Sequence, residues 1–150
     1  MAGGRLHGVD VRSAAPSDAA DIAGLLGEVG EAVAARTVAV RLERMSREGA
    51  VLVAVGFAPV IGMVALHWSR GVISDAALAR VDLLVVGEQD RGRGIGRLLL
   101  KSASQLARTA GCDILEIVAG EGGDGFLVAT GFARSGQVLR RPLRRRGGAE

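Results

Sequence analysis

A short stretch rich in glycine and arginine, RGRGIG at residues 91–96, carries the clearest chemical signal in the sequence. The residues after it switch to Leu, Lys and Ala at helical spacing, which places the stretch where a helix begins. The first N–H groups of a helix have no partner inside it, and glycine lets an anion approach the backbone closely. With the helix dipole and the charges of Arg91, Arg93 and Arg97, these groups would form a phosphate site.

Two well-known phosphate motifs can be compared with this stretch. A Walker loop requires Gly-x-x-x-x-Gly-Lys-Ser/Thr, and the dinucleotide fingerprint requires Gly-x-Gly-x-x-Gly. Neither matches, because the spacing from Gly92 is Gly-x-Gly-x-Gly, Arg97 stands where the third fingerprint glycine would be, and no Lys-Ser/Thr pair follows. The residues alone leave two interpretations open: a phosphate site, or glycines that turn the chain beside solvated arginines.

The hydrophobic pattern predicts the elements that would position this turn. Their order is strand, helix, helix, three strands, helix, strand, weak helix and strand. The predicted strands lie near residues 9–12, in two segments of 50–68, and near 77–86, 113–118 and 137–143; the predicted helices lie near 18–29, 38–45, 94–110 and 126–130. At the first helix, Ser17 or Asp18 is the predicted N-cap. This order predicts an α/β fold in the broad sense, with a mixed sheet and helices on its faces.

Other reactive residues are few. Cys112 is the only cysteine, so it cannot form an internal disulfide, and a reducing cytoplasmic location is the simplest inference. It follows a predicted helix end, where it is expected in the core rather than as a nucleophile. The only histidines, His7 and His67, have no carboxylate cluster beside them in sequence, so no metal site is predicted.

Length and composition indicate one globular domain. The 150 residues are 49% hydrophobic and 23% charged, and we expect a single domain over 1–150 with flexible tails at 1–8 and 144–150. The net charge of +3 comes from the C-terminal end, since the chain up to Leu139 carries 14 basic and 15 acidic residues. A solvated end explains this better than a nucleic-acid contact, because residues that stack on bases are scarce.

No membrane or export segment is expected. Residues 50–68 are apolar and near the length of a membrane span, but Gly56, Pro59 and Gly62 interrupt them. Their β-branched residues on both sides of the Gly-Phe-Ala-Pro sequence predict a hairpin. The N-terminus has no apolar core of the length that a signal peptide requires.

The RGRGIG stretch resembles the Arg/Gln-x-x-Gly-x-Gly/Ala signature of the GNAT superfamily of N-acetyltransferases. The similarity includes LLVV before it, an amphipathic helix after it, and the sequences GCDILEIVA and FLVATGF further on. It covers most of the chain and is most specific from Val81 to Gly111 and near Gly131. It implies the GNAT fold, with a mixed, mostly antiparallel central sheet flanked by helices and splayed between the two central parallel strands, 77–86 and 113–118.

The resemblance also implies acetyl-CoA as co-substrate and acetyl transfer to a primary amine by direct attack. By this similarity, the amides of about residues 92–97 hold the pyrophosphate, and the strand ending at Val85 and Val86 pairs with the pantetheine arm. The N–H near Val86 would polarise the thioester carbonyl. The implied cofactor-binding residues are Val85, Val86, Arg91, Gly92, Arg93, Gly94, Ile95, Gly96 and Arg97.

Asp82 is the catalytic candidate that the resemblance implies. An amine is mostly ammonium at neutral pH and must lose a proton before it attacks. Asp82 matches the position where some family members have a carboxylate proposed to accept that proton. In one alternative, Asp82 is a structural carboxylate, paired with Arg80 or at the sheet edge. In the other, Glu88 in the turn is the carboxylate that accepts the proton.

The chain departs from the family where many relatives have Phe-Tyr. It has Phe126 and Leu127 there and no tyrosine anywhere, so a general acid for the leaving thiolate is missing. A thiol with an ordinary pKa of about 8.5 can leave without one. Because the tyrosine is missing, the alternative function is a weakly active or inactive acyl-CoA-binding regulatory protein.

The expected partners are a small-molecule or peptide amine and a second copy in a homodimer, without membrane or nucleic-acid partners.

Overall fold

The computed structural model describes residues 8–45, 47–57, 59–120 and 124–144. The chain divides into two compact units, residues 1–117 and 118–150. The tails expected to be flexible lie outside the described residues, apart from Gly8 and Arg144. The expectation of one domain over 1–150 stays a prediction.

The first unit contains a five-stranded sheet with strand order β1-β2-β3-β4-β5. The strands are β1 Asp10–Ser13, β2 Gly49–Val55, β3 Val60–Arg70, β4 Ala77–Val86 and β5 Cys112–Ile117. Neighbours from β1 to β4 are antiparallel, and β4 and β5 are parallel. The apolar segment 50–68 forms the β2–β3 hairpin as predicted, because its β-branched residues suit a pleated, half-buried surface. The predicted mixed, mostly antiparallel sheet flanked by helices is confirmed.

Three helices cover the two faces of this sheet. They are α1 Ala19–Glu28, α2 Ala35–Glu43 and α3 Ile95–Thr109. Met63 of β3 packs in the core cluster of α1 and α2, whereas the neighbouring Gly62 faces Ile95 of α3. Successive strand residues point to opposite faces, so α3 lies on the other side of the sheet from α1 and α2. Burying a side chain such as Ile22 contributes about 1.5–3 kcal/mol.

The start of α1 depends on Asp18, although not as a simple N-cap. No side chain caps the first N–H groups of α1. The Asp18 carboxylate accepts a hydrogen bond from Ala15 N at 2.7 Å and two from the Arg12 guanidinium at 2.7 and 2.9 Å. Asp18 is 6% exposed, and the hydrogen bond from Arg12 is the main cause that lowers the pKa of its carboxyl. The carboxylate therefore joins β1 to the beginning of α1.

The second unit contains α4, Gly125–Ala129, as the sequence predicts. The helix ends before Gly131, which has a φ of +103°. Arg134 and Asp124 form an ion pair, with 2.8 Å between Nε and Oδ2.

The predicted last strand at 137–143 is wrong, since residues 124–144 contain no strand. The side chains of Val138, Leu139 and Leu143 are exposed, so this segment has no apolar face buried on a sheet. Pro142 also lacks the N–H that a strand ladder requires. β5 is one of the two edge strands of the five-stranded sheet. Within the described residues, no helix combines the length and apolar character needed to cross a membrane.

Candidate functional site

The sheet forks between β4 and β5. The two strands pair from Ala77 with Cys112 to Val81 with Ile117. β5 ends at Ile117, but β4 continues for five residues, 82–86, with no β5 residue beside it. The predicted splay between these strands is therefore present and begins at Asp82.

Backbone polar groups of β4 line the open edge of this fork. Gly87 N donates to Ile61 O of β3 at 2.8 Å. In an antiparallel pair, every second residue of a strand hydrogen-bonds to the same neighbouring strand. Val85 thus bonds toward β3, whereas Leu84 and Val86 direct their N–H and C=O groups toward the open edge. Arg91 Nε reaches Val86 O there at 3.3 Å. Leu84 is a residue that the sequence reasoning missed, although strand alternation from Val86 would have indicated it.

The glycine-rich turn joins the end of β4 to α3. After a short 3-10 helix at Glu88–Asp90, Gly92 and Gly94 adopt φ values of +79° and +84°. Side chains rarely adopt this left-handed region, so the turn requires glycine at both positions. A Cβ at either position would meet nothing within 4 Å. The glycines are thus required by the backbone conformation and leave the space around the turn open.

The backbone N–H groups of this turn are available to a ligand. Across the described part of the chain, the amides of residues 91–97 donate to no protein acceptor; the first bond of the helix runs from Leu98 N to Gly94 O at 3.0 Å. Residues 91–94 and 97 are exposed, and Gly96 is half-buried. Ile95 is 1% exposed, so its side chain anchors the helix while its amide stays at the turn. This cluster of free donors can bind an anion.

The three arginines differ in their surroundings. Arg93 Nη1 donates to Asp90 Oδ1 at 2.8 Å, and Arg91 is hydrogen-bonded to the backbone of β4. Arg97 makes no ion pair with any described residue and is exposed. Arg97 is therefore the guanidinium of this turn with the most freedom to contact a ligand.

Asp82 forms a pair with His67 that the sequence analysis did not predict. Nδ1 of His67 lies 2.7 Å from Oδ1 and 2.9 Å from Oδ2 of Asp82. The His67 side chain is 52% exposed and the Asp82 side chain is 44% exposed. Ala65 pairs with Leu83 and Leu66 with Val81, so Asp82 is the additional residue of a β-bulge. The pair thus lies where the fork begins.

The Arg80 guanidinium, considered as a partner for Asp82, is engaged elsewhere, whereas the side chain of Glu88, the other candidate carboxylate, is exposed in the turn. Arg80 donates from Nε to Glu116 Oε1 of β5 at 2.7 Å, so it does not pair with Asp82. Glu88 lies in the turn, where its N–H donates to Glu28 Oε1 at 3.3 Å. Asp82 is therefore paired with a histidine at the fork rather than held in a structural ion pair with Arg80.

Cys112 is a core residue. It is 8% exposed, and burial is the main cause that raises the pKa of its thiol, with the Arg70 charge opposing and the Asp113 charge adding to the increase. A thiol nucleophile needs a lowered pKa and access to its substrate. Cys112 has neither property, which agrees with the expectation that it packs in the core. No group of three or more potential metal ligands occurs among the residues described.

A family model describes most of this chain. The model of the acetyltransferase (GNAT) family matches residues 31–132, which include the fork and the glycine-rich turn. No curated protein sequence gives a significant match.

Solved structures with the same fold are numerous. Glucosamine-6-phosphate N-acetyltransferase from Arabidopsis thaliana has a TM-score of 0.81 at 13% identity, covering 91% of this chain and 99% of that one. An aminoglycoside acetyltransferase from an uncultured soil metagenomic sample has a TM-score of 0.77 at 18% identity, covering 93% and 98%. A transcriptional regulator from Bacillus halodurans C-125 has a TM-score of 0.78 at 20% identity, covering 89% and 99%. At these identities, the similarity concerns the fold.

Proposed function

The chain belongs to the GNAT family of acetyltransferases, and on that premise we propose that it transfers an acetyl group from acetyl-CoA to a primary amine. The observation that supports this most is the set of free amides at residues 91–97, which lies directly after the open edge of β4. A phosphate site and an unpaired strand edge, joined by four residues of chain, suit a ligand with a diphosphate at one end and an amide-containing arm at the other.

The residues present fit acetyl-CoA. The amides of Gly92 to Arg97 would hold its pyrophosphate, with the unpaired Arg97 adding charge at an exposed position. Leu84 and Val86 would pair with the pantetheine arm through the backbone groups of the open edge, as the missing strand would. When bound, acetyl-CoA supplies the activated thioester. The N–H of Val86 is a fixed donor that would stabilise the negative charge developing on a carbonyl oxygen at the fork.

The side chains of Asp82 and His67 at the fork would remove the proton from the acceptor amine. An amine with an ordinary pKa of about 10 is protonated at neutral pH, and only its free form attacks a carbonyl. Asp82 is the first residue of β4 without a β5 partner, and its contact with His67 supports these two side chains as the groups that would meet the acceptor. The missing tyrosine leaves the thiolate to take its proton from solvent.

The acetyl acceptor, the cellular location of the protein and its oligomeric state are each supported by a separate observation. Proteins of this fold include enzymes named for glucosamine 6-phosphate and aminoglycosides, which supports a small-molecule amine, with a peptide amine as the alternative. The unpaired, buried Cys112 supports a reducing cytoplasmic setting. The edge position of β5, with Ile114 56% exposed, supports a homodimer.

Calorimetry with acetyl-CoA and a thiol-release assay test this proposal. The amine panel is glucosamine 6-phosphate, an aminoglycoside, spermidine and a peptide with a free N-terminus. We expect acetyl-CoA binding and amine-dependent release of CoA, with the acetylated amine identified by mass spectrometry. Absence of acetyl-CoA binding would contradict the proposal.

A second candidate function is an acyl-CoA-binding regulatory protein. The absence of tyrosine favours it, and so does the structural similarity to a protein described as a transcriptional regulator. Binding of acetyl-CoA with no thiol release for any amine, together with unchanged behaviour of Asp82→Asn, would support this function over catalysis.

A further inference from the structure

The contact between His67 and Asp82 fixes which nitrogen of the imidazole carries hydrogen. Nδ1 lies within hydrogen-bond distance of both carboxylate oxygens, at 2.7 and 2.9 Å. An ionised carboxylate only accepts hydrogen bonds, so Nδ1 must be the donor. In the neutral ring, the lone pair is then on Nε2. A neutral His67 ring therefore presents its lone pair on the side away from Asp82.

The surroundings of His67 leave its side chain partly exposed. The side chain is 52% exposed. On β2, the residue opposite His67 is Gly49, which has no side chain to cover the ring. On β4, the residue opposite is Arg80, whose guanidinium is bound to Glu116 of β5. Asp82 is thus the only charged group among the described residues that pairs with the imidazole.

The bulge in β4 creates this pair at the start of the fork. Without the additional residue, Asp82 would lie opposite Leu66 and its side chain would point to the face away from His67. The bulge redirects the carboxylate toward His67 at the first residue after the last β4–β5 pair, Val81 with Ile117. Bulges next to active sites commonly redirect a side chain in this way.

We infer that Nε2 of His67 accepts the proton of the acceptor ammonium, and that Asp82 is a positioning residue that holds the ring in the required tautomer. This inference rests on the proposed acetyl transfer. The ammonium gives one proton to Nε2, and the nitrogen of the resulting amine forms the C–N bond while the C–S bond breaks and the sulfur leaves with the electron pair. The nitrogen then loses its second proton to solvent, and the thiolate takes a proton from solvent. The imidazolium is stabilised by the Asp82 carboxylate until its proton passes to solvent.

Imidazole suits this task better than a carboxylate alone. Histidine is the side chain that most often acts as a general base in enzymes. A positioned general base contributes roughly 10²–10⁴-fold to the rate. The Asp–His arrangement provides such a base without a second histidine or a metal.

Nitrogen NMR of the histidine rings tests the tautomer without any substrate. The chain contains only His7 and His67, so His7→Gln leaves a single imidazole signal set for assignment. We expect the neutral ring of His67 to be in the Nδ1–H form, and to shift toward the Nε2–H form in Asp82→Asn. An Nε2–H tautomer in the wild-type protein, or a tautomer unaffected by Asp82→Asn, would overturn the inference.

Kinetics with the best amine of the panel test the role of the ring. We expect His67→Ala to lower kcat by about 10²-fold or more, with the KM for acetyl-CoA unchanged and activity partly restored by added imidazole. Asp82→Asn should lower kcat by a smaller factor. Asp113→Asn, which removes an exposed carboxylate of β5 that forms no ion pair within the described residues, is the control and should keep the wild-type rate.

The outcomes separate this inference from the proposed function. If the wild-type protein transfers acetyl groups and His67→Ala is equally active, the transfer stands and the role of His67 is wrong. If His67→Ala is inactive but added imidazole restores nothing and acetyl-CoA binding is also lost, the residue is structural. If the wild-type protein binds no acetyl-CoA, the proposed function fails and the inference fails with it.

Discussion

Gly62 of β3 lies directly beneath Ile95, the first residue of α3. A Cβ at position 62 would be 3.2 Å from Ile95 Cγ2, 3.1 Å from Leu99 Cδ1 and 3.2 Å from Val85 O. The same glycine pairs with Val86, the last residue of β4. The absence of a side chain at Gly62 therefore sets how closely the beginning of α3, with its free amides, approaches the open edge of the fork.

Gly62→Ala should accordingly weaken both the fold and coenzyme binding. An additional methyl in a closely packed site costs about 1–3 kcal/mol, so the free energy of unfolding should fall by that amount. Because α3 must move to accept the methyl, the Kd for acetyl-CoA should rise several-fold. Urea denaturation and calorimetry measure the two effects.

Gly27→Ala is the matched control for this substitution. Gly27 lies in α1, where an added Cβ meets nothing within 4 Å. Alanine in a helix is favoured over glycine by about 0.5–1 kcal/mol, so this variant should be more stable than the wild type and bind acetyl-CoA equally well. Equal destabilisation by both changes would show that the contact of Gly62 with α3 is unimportant.

Arg97 and Arg93 should contribute unequally to coenzyme affinity. A charge-assisted hydrogen bond contributes about 1.5–3 kcal/mol, so Arg97→Gln should raise the Kd for CoA by about tenfold or more. Arg93→Gln should have a smaller effect, because the Arg93 guanidinium is bound to Asp90. Calorimetry at fixed ionic strength compares the two variants.

S-acetylpantetheine, which lacks the diphosphate, is the ligand control for these variants. Its affinity should be the same for the wild type and Arg97→Gln. A loss of affinity for this fragment would mean that Arg97 acts on the pantetheine edge or on folding, rather than on phosphate.

Much of the first unit could be predicted because its elements satisfy local rules. The bounds of β4, 77–86, were predicted correctly from an apolar run, and the β2–β3 hairpin from β-branched residues around a glycine and proline break. The glycine-rich turn was also recognisable, since the left-handed conformation at Gly92 and Gly94 requires that residue type. The strand at 137–143 was predicted wrongly because a few apolar residues do not show whether a sheet buries them, and Val138, Leu139 and Leu143 are exposed.

The His67–Asp82 pair could not be predicted by the same rules. The two residues are 15 positions apart, and they meet only because one bulge shifts the register between β3 and β4. Strict alternation would have placed their side chains on opposite faces of the sheet. A bulge depends on packing across several strands, and the local sequence around Asp82 carries no turn or glycine signal that marks it.

Asp18→Asn should destabilise the fold in a pH-dependent way. The carboxylate is buried and accepts hydrogen bonds from Arg12 and Ala15, so its loss should cost about 1–3 kcal/mol at neutral pH. The pKa of Asp18 is lowered in the folded state, so its contribution is fully present above the unfolded pKa of about 3.9 and is lost as the pH falls through the folded value. Urea denaturation at neutral pH and below pH about 3 compares both variants.

Glu116→Gln is the contrasting change for Asp18→Asn. The Arg80 and Glu116 side chains are 40% and 38% exposed, and ion pairs between exposed side chains contribute about 0–1 kcal/mol. Glu116→Gln should therefore change stability by less than Asp18→Asn at neutral pH. A larger loss for Glu116→Gln would indicate that the last paired segment of the fork depends on this ion pair.

Cys112 should take no part in acetyl transfer. Its thiol is buried and its pKa is raised, mainly by burial, so iodoacetamide should label the folded protein about 100-fold more slowly than the urea-unfolded protein. Cys112→Ala should keep the wild-type kcat, and the loss of a small buried side chain should cost only about 1 kcal/mol.

Initial rates measured at varied acetyl-CoA and amine concentrations should give intersecting lines in a double-reciprocal plot, as direct attack in a ternary complex requires. An acetyl adduct on Cys112 detected by mass spectrometry, together with parallel lines, would instead establish a covalent intermediate and contradict direct attack.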